Sequence, residues 1–379
     1  MATSNTQIAE FGSETATTEL WYTRCGVPTS FGVAIGRGLY REEFADGKVT
    51  LRAIQESADP VVHQSHFTHS QPNSFRHGSN YPAIWAQANG ADTKILGITF
   101  LRGAQTILAL PASGIRTPAD LKGRRILLTR RPHEALDHAW ANNLRFFEVA
   151  LRSAGLGFED VEMVEHVIDR PFIADRRTPE IESGALKSAA TFVGATAKAP
   201  SAQNLALQTL LRGEVDAITS GGSIGAGPDQ IRQLLGLHVV FDLDSIEDEI
   251  ERSNLSTPLV FAVKGDLLRQ RPDLVERVLY RAVQAEAEAF ENPEEALRHV
   301  AREQFASEHA VSQAYGPDLS RIFNIDFDPV KIEALKSQVV FLHRIGVIDQ
   351  PIDVDGWLVR EPLVAARERY AAHRRKGAA

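Results

Sequence analysis

Alternation between strand-like and helix-like segments is the feature of this sequence that most restricts its fold. Apolar runs typical of buried strands occur at residues 125–129, 161–166, 215–219 and 237–243. Segments with a helical pattern lie between them, at residues 134–154, 204–212 and 229–235. Strands that alternate with helices predict parallel sheets with helices on their faces. This middle part of the chain is therefore predicted to form an α/β lobe.

The chain on either side of this stretch predicts a second lobe. Strand patterns occur at residues 20–23, 49–53, 94–99 and 257–263, and helical patterns at 28–47, at 83–89 and over most of the chain after Pro272. At 379 residues the chain exceeds the size at which one hydrophobic core usually stops growing. We predict a mobile leader at 1–18, a discontinuous lobe I at 19–115 and 246–379 that includes the C-terminal helices, and lobe II at 116–245.

A lobe that is interrupted by another lobe requires two crossings of the chain, which predicts a hinged pair of lobes with a ligand cleft between them. In open α/β sheets, ligands bind at the carboxyl ends of the strands. Cys25, Arg130, Ser220 and Gly221 all follow predicted strands. The sequence therefore predicts that these four residues line one interlobe cleft.

Composition and charge argue against several classes of protein. The formal net charge is -8, whereas nucleic-acid-binding proteins usually present a basic face to the phosphates. The segment before Leu20 lacks a secretory signal, and the longest apolar runs are too short to cross a bilayer. The single cysteine permits no internal disulfide, which fits a reducing compartment. We expect a cytoplasmic protein without a nucleic-acid or membrane partner.

Cys25 is the first candidate for chemistry. It lies in a predicted turn between a strand and a helix that begins near Pro28 and Thr29. A cysteine at a helix N-terminus is stabilised as thiolate by the helix dipole and by nearby backbone N–H groups. The alternative is that Cys25 is a small buried apolar residue, which is the more common role of a lone free cysteine.

A long polar segment at residues 57–82 holds the next candidates, and we expect it to be strand and loop. The spacing of His63, His66 and His69 would suit a metal site if the segment were helical, but the neighbouring polar residues argue against a helix and a metal. Arg76 has the planar fork of donors that suits a carboxylate, sulfinate or phosphate. A surface salt bridge is its alternative role.

The glycine-rich loop at residues 220–227 is the last candidate. It lacks the lysine of a phosphate-binding P-loop, and its glycines do not match the dinucleotide-binding pattern. At most, this loop lines a cleft and donates backbone N–H groups to a small oxyanion. Arg130 and Arg131 are possible small-anion contacts, although solvated surface is their alternative reading.

The motifs resemble two related families. Residues 119–126 (ADLKGRRI) and 212–217 (RGEVDA) resemble the solute-binding proteins for sulfonates and nitrate, which have the two-lobed periplasmic-binding-protein type II fold. The closer resemblance is to the DszB-type aromatic sulfinate desulfinases, which are cytoplasmic enzymes on that fold. It rests on residues 22–28 (YTRCGVP) and 66–78 (HFTHSQPNSFRHG), and further agreement extends it from about Leu20 to Glu361.

The resemblance implies hydrolysis of a carbon–sulfur bond that releases sulfite from an aryl sulfinate such as 2'-hydroxybiphenyl-2-sulfinate. It assigns catalysis to Cys25, His66 and Arg76, without a cofactor or a metal. Gly78 and Ser79 would hold the sulfinate, although the family has a glycine where this chain has Ser79. Arg130, Ser220 and Gly221 are predicted to line the substrate site of a monomer. A non-catalytic intracellular protein that binds a small sulfur or carboxyl anion is the alternative.

Overall fold

The computed structural model describes residues 17–23, 27–101, 105–169, 181–182, 185–186, 202–221, 232–304, 306–316 and 319–377. Its strands are β1 (Thr18–Thr23), β2 (Val49–Ala53), β3 (Ser74–Ser79), β4 (Thr93–Thr99), β5 (Gln105–Ala109), β6 (Arg125–Arg130), β7 (Glu162–Val167), β8 (Ile181–Glu182), β9 (Ala185–Leu186), β10 (Ala217–Gly221), β11 (His238–Asp242) and β12 (Leu259–Lys264). Its helices are α1 (Ser30–Gly36), α2 (Leu39–Glu43), α3 (Pro60–Thr68), α4 (Asn80–Ala88), α5 (His138–Ser153), α6 (Ala202–Leu211), α7 (Glu249–Arg252), α8 (Gly265–Gln270), α9 (Pro272–Glu291), α10 (Pro293–Gln304), α11 (Glu308–Tyr315), α12 (Pro329–Arg344) and α13 (Glu361–Gly377).

The strands form two five-stranded sheets. The first has the order β2-β1-β3-β12-β4, and the second has the order β11-β5-β10-β6-β7. The predicted α/β architecture is confirmed, and the four strands predicted in the middle of the chain, β6, β7, β10 and β11, run parallel to one another as expected. Two other strands make the sheets mixed. β12 runs antiparallel to β3 and β4, and β5 runs antiparallel to β10 and β11. Both of these strands enter their sheet directly after the chain has crossed from the other sheet, so a helical crossover does not set their direction.

The two crossings lie side by side. One follows β4 and leads into β5, and the other leads from β11 back to β12. The backbone N–H of Leu101 donates to Oγ1 of Thr257 at 3.0 Å, and Nδ2 of Asn254 donates to Oε1 of Gln105 at 2.7 Å. Residues 105–109 are predicted to belong to lobe I, but as β5 they pair in the second sheet. Thr18 is predicted to belong to the leader, but it is the first residue of β1. The lobe boundaries remain a prediction.

Apolar side chains of both sheets join in one continuous cluster. Ile84 of α4 and Val260 of β12 belong to it, together with Ile126 of β6 and Phe146 of α5. A second cluster lies on the other face of the first sheet, where α9 packs with α1 and α13. Within the described parts of the chain, we find no helix that is both long and apolar enough to span a bilayer.

Two local predictions are wrong for identifiable reasons. The predicted helix after Pro28 is two helices, because Gly38 between them adopts φ 77°, which L-residues avoid. The polar segment at 57–82, predicted as strand and loop, does contain the strand β3, but it also contains α3 and the start of α4. Asp59 caps α3 by accepting from the N–H of Val61, and Pro60 occupies the first turn, where proline is well tolerated.

Candidate active site

Arg76 lies in the middle of β3, within the first sheet. It pairs in register with Thr23 of β1 on one side and with Ala262 of β12 on the other. Only 3% of Arg76 is exposed, so a guanidinium is held inside the protein. The predicted alternative, a surface salt bridge, does not fit this burial. A buried guanidinium requires hydrogen-bond acceptors, and the structure provides one at the end of α3.

His66 lies in the last turn of α3 and is 4% exposed. Its backbone oxygen accepts a hydrogen bond from Nη1 of Arg76 at 2.8 Å. The last carbonyls of a helix lack partners within the helix and carry the negative end of its dipole, so a cation is favoured there. The His66 ring packs edge-on against Phe67, with 4.8 Å between the ring centroids. The structure therefore brings together two of the three predicted catalytic residues.

Cys25 lies outside the described residues, between Thr23 and Val27. β1 ends at Thr23, the residue that pairs with Arg76, so Cys25 follows the neighbour of Arg76 by two positions in the sequence. Helix α1 begins at Ser30, and Oγ1 of Thr29 caps it by accepting from the N–H of Gly32 at 2.9 Å. The helix begins five positions after Cys25. The role of the thiol remains a prediction.

Gly78 and Ser79 form the carboxyl end of β3, directly before α4. Ser79 is the N-cap residue of α4, but its hydroxyl does not cap the helix. It donates to the backbone oxygen of Leu255 instead, and lies 3.5 Å from Nε2 of His138. A helix N-terminus that its own N-cap side chain leaves uncapped suits an anion, because N–H groups and the helix dipole both favour negative charge.

The second sheet meets this end of β3 through the first turn of α5. The rings of His138 and Tyr81 lie 5.4 Å apart. Burial, and then the charge of Asp137, raise the pKa of Tyr81 well above its ordinary value, so its hydroxyl stays protonated. Asp137 caps α5 and lies 3.4 Å from Nε of Arg130. His138, which the sequence motifs did not single out, therefore links the two lobes beside Ser79.

The other predicted substrate residues lie on the second sheet. Arg130 ends β6, where its guanidinium contacts Asp137 and Glu165 and lies 4.6 Å from the centroid of Trp140. Ser220 and Gly221 end β10, where Gly221 pairs with Gln105 beside a chain crossing. Residues 222–227 of the glycine-rich loop lie outside the described residues. The substrate role of Arg130, Ser220 and Gly221 stays a prediction.

Two further histidines near Arg76 in the sequence, His69 and His77, are buried. His77 stacks on Phe261 with 4.8 Å between centroids, and its Nε2 lies 3.2 Å from Oγ1 of Thr99. Burial lowers the pKa of His77 from the ordinary 6.5 to about 3. Burial, the charge of Arg76 and the charge of Lys264 lower the pKa of His69 well below its ordinary value. Both imidazoles are therefore neutral at neutral pH.

The buried His77 predicts a loss of stability in acid. As the pH falls below about 6.5, the unfolded chain protonates this imidazole, whereas the folded protein does not until about pH 3. The unfolded state then binds more protons, so His77 alone should lower the free energy of unfolding by about 2 kcal/mol between about pH 7 and pH 5. The His77→Gln variant keeps a hydrogen-bonding group but cannot titrate. Denaturant unfolding should show a shallower pH dependence for this variant, and identical slopes would contradict the prediction.

A metal centre is not apparent in the described parts of the chain, where no group of three or more His, Cys, Asp or Glu side chains is arranged to hold a metal ion. His63, His66 and His69 do lie on α3 or at its end, contrary to the predicted strand and loop. His69 is the C-cap residue in a left-handed conformation. The site that the structure presents is one of buried polar side chains at a strand end.

Two sheets joined by two adjacent crossings, with buried polar groups at the strand ends, define the two-lobed class of periplasmic-binding-protein-like proteins. Solved structures agree. The aliphatic sulphonate-binding protein SsuA from Escherichia coli superposes with a TM-score of 0.59 at 16% identity, over 91% of this chain and 92% of that chain. SsuA from Methylobacillus flagellatus gives 0.63 at 15% identity, over 93% and 94%. At these identities the likeness concerns the fold alone.

A more specific similarity is to desulfinases. The chain is 28% identical over 374 residues to 2'-hydroxybiphenyl-2-sulfinate desulfinase from Rhodococcus erythropolis, which covers 93% of this chain and 94% of that protein. A cysteine-to-serine mutant of DszB in complex with biphenyl-2-sulfinic acid superposes with a TM-score of 0.69 at 26% identity, over 93% of this chain and all of that chain. No protein-family profile matches the chain. These findings confirm the resemblance to DszB-type desulfinases.

Proposed function

We propose that this protein is a desulfinase that hydrolyses the carbon–sulfur bond of an aryl sulfinate, either 2'-hydroxybiphenyl-2-sulfinate or a related compound. The reaction converts the aryl sulfinate and water into the arene and hydrogen sulfite, without a change of redox state and without a cofactor. One observation carries the proposal. The buried Arg76 donates a hydrogen bond from Nη1 to the backbone oxygen of His66 at 2.8 Å, in a chain that is similar to a desulfinase over 93% of its length.

The sulfinate is bound by a guanidinium and by backbone N–H groups. Arg76 presents a planar fork that matches two sulfinate oxygens, and charge-assisted hydrogen bonds in a buried site are about twice as strong as neutral ones. The backbone of Gly78 and Ser79 adds N–H donors where α4 begins. The hydroxyl of Ser79 is already engaged with Leu255, so we assign the backbone of Ser79, and not its side chain, to the sulfinate.

Cys25 and His66 carry the chemical step, by one of two routes. In the first, the Cys25 thiolate attacks sulfur, the ring carbon leaves with the bonding electron pair and takes a proton, and water cleaves the thiosulfonate-like adduct. In the second, the Cys25 thiol protonates the ring carbon, sulfur dioxide departs, and water captures it as hydrogen sulfite. In both routes, His66 orients Cys25 and controls the protonation of its thiol. Rapid-quench mass spectrometry tests the first route, which requires a sulfur adduct on Cys25 during turnover.

A non-catalytic binding protein is the second candidate function, because sulfonate-binding proteins share this fold. It would bind a small anion without changing it, and Cys25→Ala would leave binding intact. The desulfinase is favoured by its similarity to a named enzyme at 28% identity over almost the whole chain. The cytoplasmic location and the monomeric state remain predictions for either function.

A sulfite-release assay separates the two functions. The purified protein is incubated with a panel of aryl sulfinates that includes 2'-hydroxybiphenyl-2-sulfinate and benzenesulfinate, and both sulfite and arene are measured. Release of the two products in equal amounts supports the desulfinase. Binding of a panel member without release supports the binding protein. Matching aryl sulfonates serve as controls, since their sulfur has no lone pair to mimic the sulfinate and we expect no sulfite from them.

A further inference from the structure

A small polar cavity lies beside Arg76, towards the end of the first sheet that is opposite to Ser79. At that end Val263 pairs with Phe75 and Lys264 pairs with Thr93, whereas Leu259 pairs with Ser79 at the other end. The polar side chains that line the cavity belong to Thr23, Ser65, His69, Ser74, Arg76, Thr93 and Lys264. The space open to the centre of a water molecule is about 10 Å³, which is room for one water.

His69 is held in this cavity at an energetic cost. It ends α3 in the left-handed conformation, with φ 50°, and its N–H donates to the backbone oxygen of Ser65 at 3.1 Å. Few residues other than glycine adopt this conformation. The side chain is 5% exposed, and Nε2 has no hydrogen-bond partner among the residues that the structure describes. A strained residue with an unsatisfied buried nitrogen, beside a residue of the candidate site, points to a functional constraint.

The charges around the cavity favour a water molecule that bridges these groups. Two cationic side chains, Arg76 and Lys264, line it, and His69 is neutral beside them. Cations supply only donors, whereas a neutral imidazole supplies one acceptor nitrogen. One water molecule can accept a hydrogen bond from a cation and donate one to the imidazole. Such a water satisfies the nitrogen that the protein itself leaves unsatisfied.

We propose that His69 is a positioning residue for Arg76, acting through one internal water that donates to Nε2 of His69 and accepts a hydrogen bond from the Arg76 guanidinium. The backbone oxygen of His66 then holds the guanidinium on one side, and the water holds it on another. Arg76 keeps a single orientation before substrate arrives, which reduces the ordering cost of binding. The inference rests on the proposed function, in which Arg76 binds the sulfinate.

A pair of variants tests this role. His69→Phe keeps the ring but removes the acceptor, whereas His69→Gln places an amide oxygen near the position of Nε2. We expect His69→Phe to raise the KM for the aryl sulfinate about tenfold, with kcat changed less than twofold, because about one hydrogen bond in the bound state is weakened. His69→Gln should restore KM to within about twofold of the wild type.

Stability distinguishes positioning from a structural role. His69→Phe removes the nitrogen together with the water that satisfies it, so no buried acceptor is left unpaired and the Tm should stay close to that of the wild type. An unchanged KM in a folded His69→Phe variant would overturn the proposal. A lower Tm accompanied by a higher KM would also overturn it, because the change in KM would then reflect a general loss of structure.

A crystal structure of the wild-type protein provides a readout that does not depend on the enzyme assay. We expect one ordered water within hydrogen-bond distance of Nε2 of His69 in the wild type. The same water should be absent from the His69→Phe variant. An empty cavity in well-defined density would overturn the proposal even if the protein is a desulfinase. Conversely, an ordered water in a protein that releases no sulfite would reject the proposed function and leave the water-mediated contact standing.

Discussion

Sulfite release should fall at least about a thousandfold when Cys25 is replaced by serine, because a hydroxyl is a far weaker nucleophile and acid than a thiol. Both proposed routes require the sulfur of Cys25, either as the attacking atom or as the proton donor. Because Cys25 is the only cysteine, no other thiol in the chain can substitute for it. The measurement is sulfite production at saturating aryl sulfinate, for the wild type and for Cys25→Ser.

Binding and stability are the controls for this substitution. Serine differs from cysteine by one atom, so the variant should fold, with a Tm close to that of the wild type, and should still bind the aryl sulfinate in calorimetry through Arg76. Full sulfite production by Cys25→Ser would reject the role of the thiol. Loss of both binding and folding would show that Cys25 serves the structure instead of the reaction.

The Arg76→Lys variant should weaken substrate binding about a hundredfold, mostly through a higher KM. A lysine ammonium retains the charge but cannot reproduce the planar fork that contacts two oxygens at once. Loss of one charge-assisted hydrogen bond in a buried site costs about 1.5–3 kcal/mol, which corresponds to roughly 10- to 150-fold. Steady-state kinetics with the best substrate of the panel measures the effect.

Arg125→Lys is the matched control. It makes the same substitution at an arginine whose guanidinium binds a carboxylate of the protein and not the sulfinate. Nη2 and Nε of Arg125 contact the two carboxylate oxygens of Asp216 at 2.9 and 3.1 Å, at the amino end of β6 and away from the strand ends that form the candidate site. KM should not change in this variant. Equal effects of the two substitutions on KM would indicate a general loss of stability instead of a lost contact with the sulfinate.

The sequence predicted those elements whose apolar residues follow a clear period. The strand before Cys25, the strand that ends at Arg130 and the helix that starts at Pro272 all lie within a few residues of their predicted positions. A strand is expected within residues 57–82, but its bounds could not be predicted, because the residues of β3, SFRHGS, show no alternation of apolar and polar side chains, although all six are buried. Its position is set by its register with β1 and β12, and this tertiary contact leaves no local pattern in the sequence.

Helix α3 was missed although a signal for it was present. Asp59 followed by Pro60 is a helix-start signature, and the polar residues that follow it obscured the helical pattern. This element matters for the site, because it places the carbonyl of His66 at the guanidinium of Arg76. His66 and Arg76 are identified as catalytic candidates by the family motifs, because each residue taken alone fits a structural role equally well.

The sequence draws attention to His69 only through its spacing from His63 and His66, and its role beside Arg76, like the position of His138, could not be found by reasoning from the sequence. His69 is distinguished by an unsatisfied nitrogen and by the cavity beside it, and His138 by its contact with Ser79 from the other lobe. Both properties arise only when distant segments meet. The direction of β5 and β12 is also a property of the assembled chain, since the pattern of a strand does not record which neighbour it joins.

The apolar cluster that includes Ile84, Val260, Ile126 and Phe146 extends from one sheet to the other. Parting the lobes along this boundary would expose such side chains to water, at about 2–3 kcal/mol for each that becomes fully hydrated. A wide swing of the kind that captures ligands from dilute solution is therefore disfavoured. Admission of an aryl compound should depend on small local displacements at the mouth of the cleft, and the bulk of the ring should limit how quickly it enters.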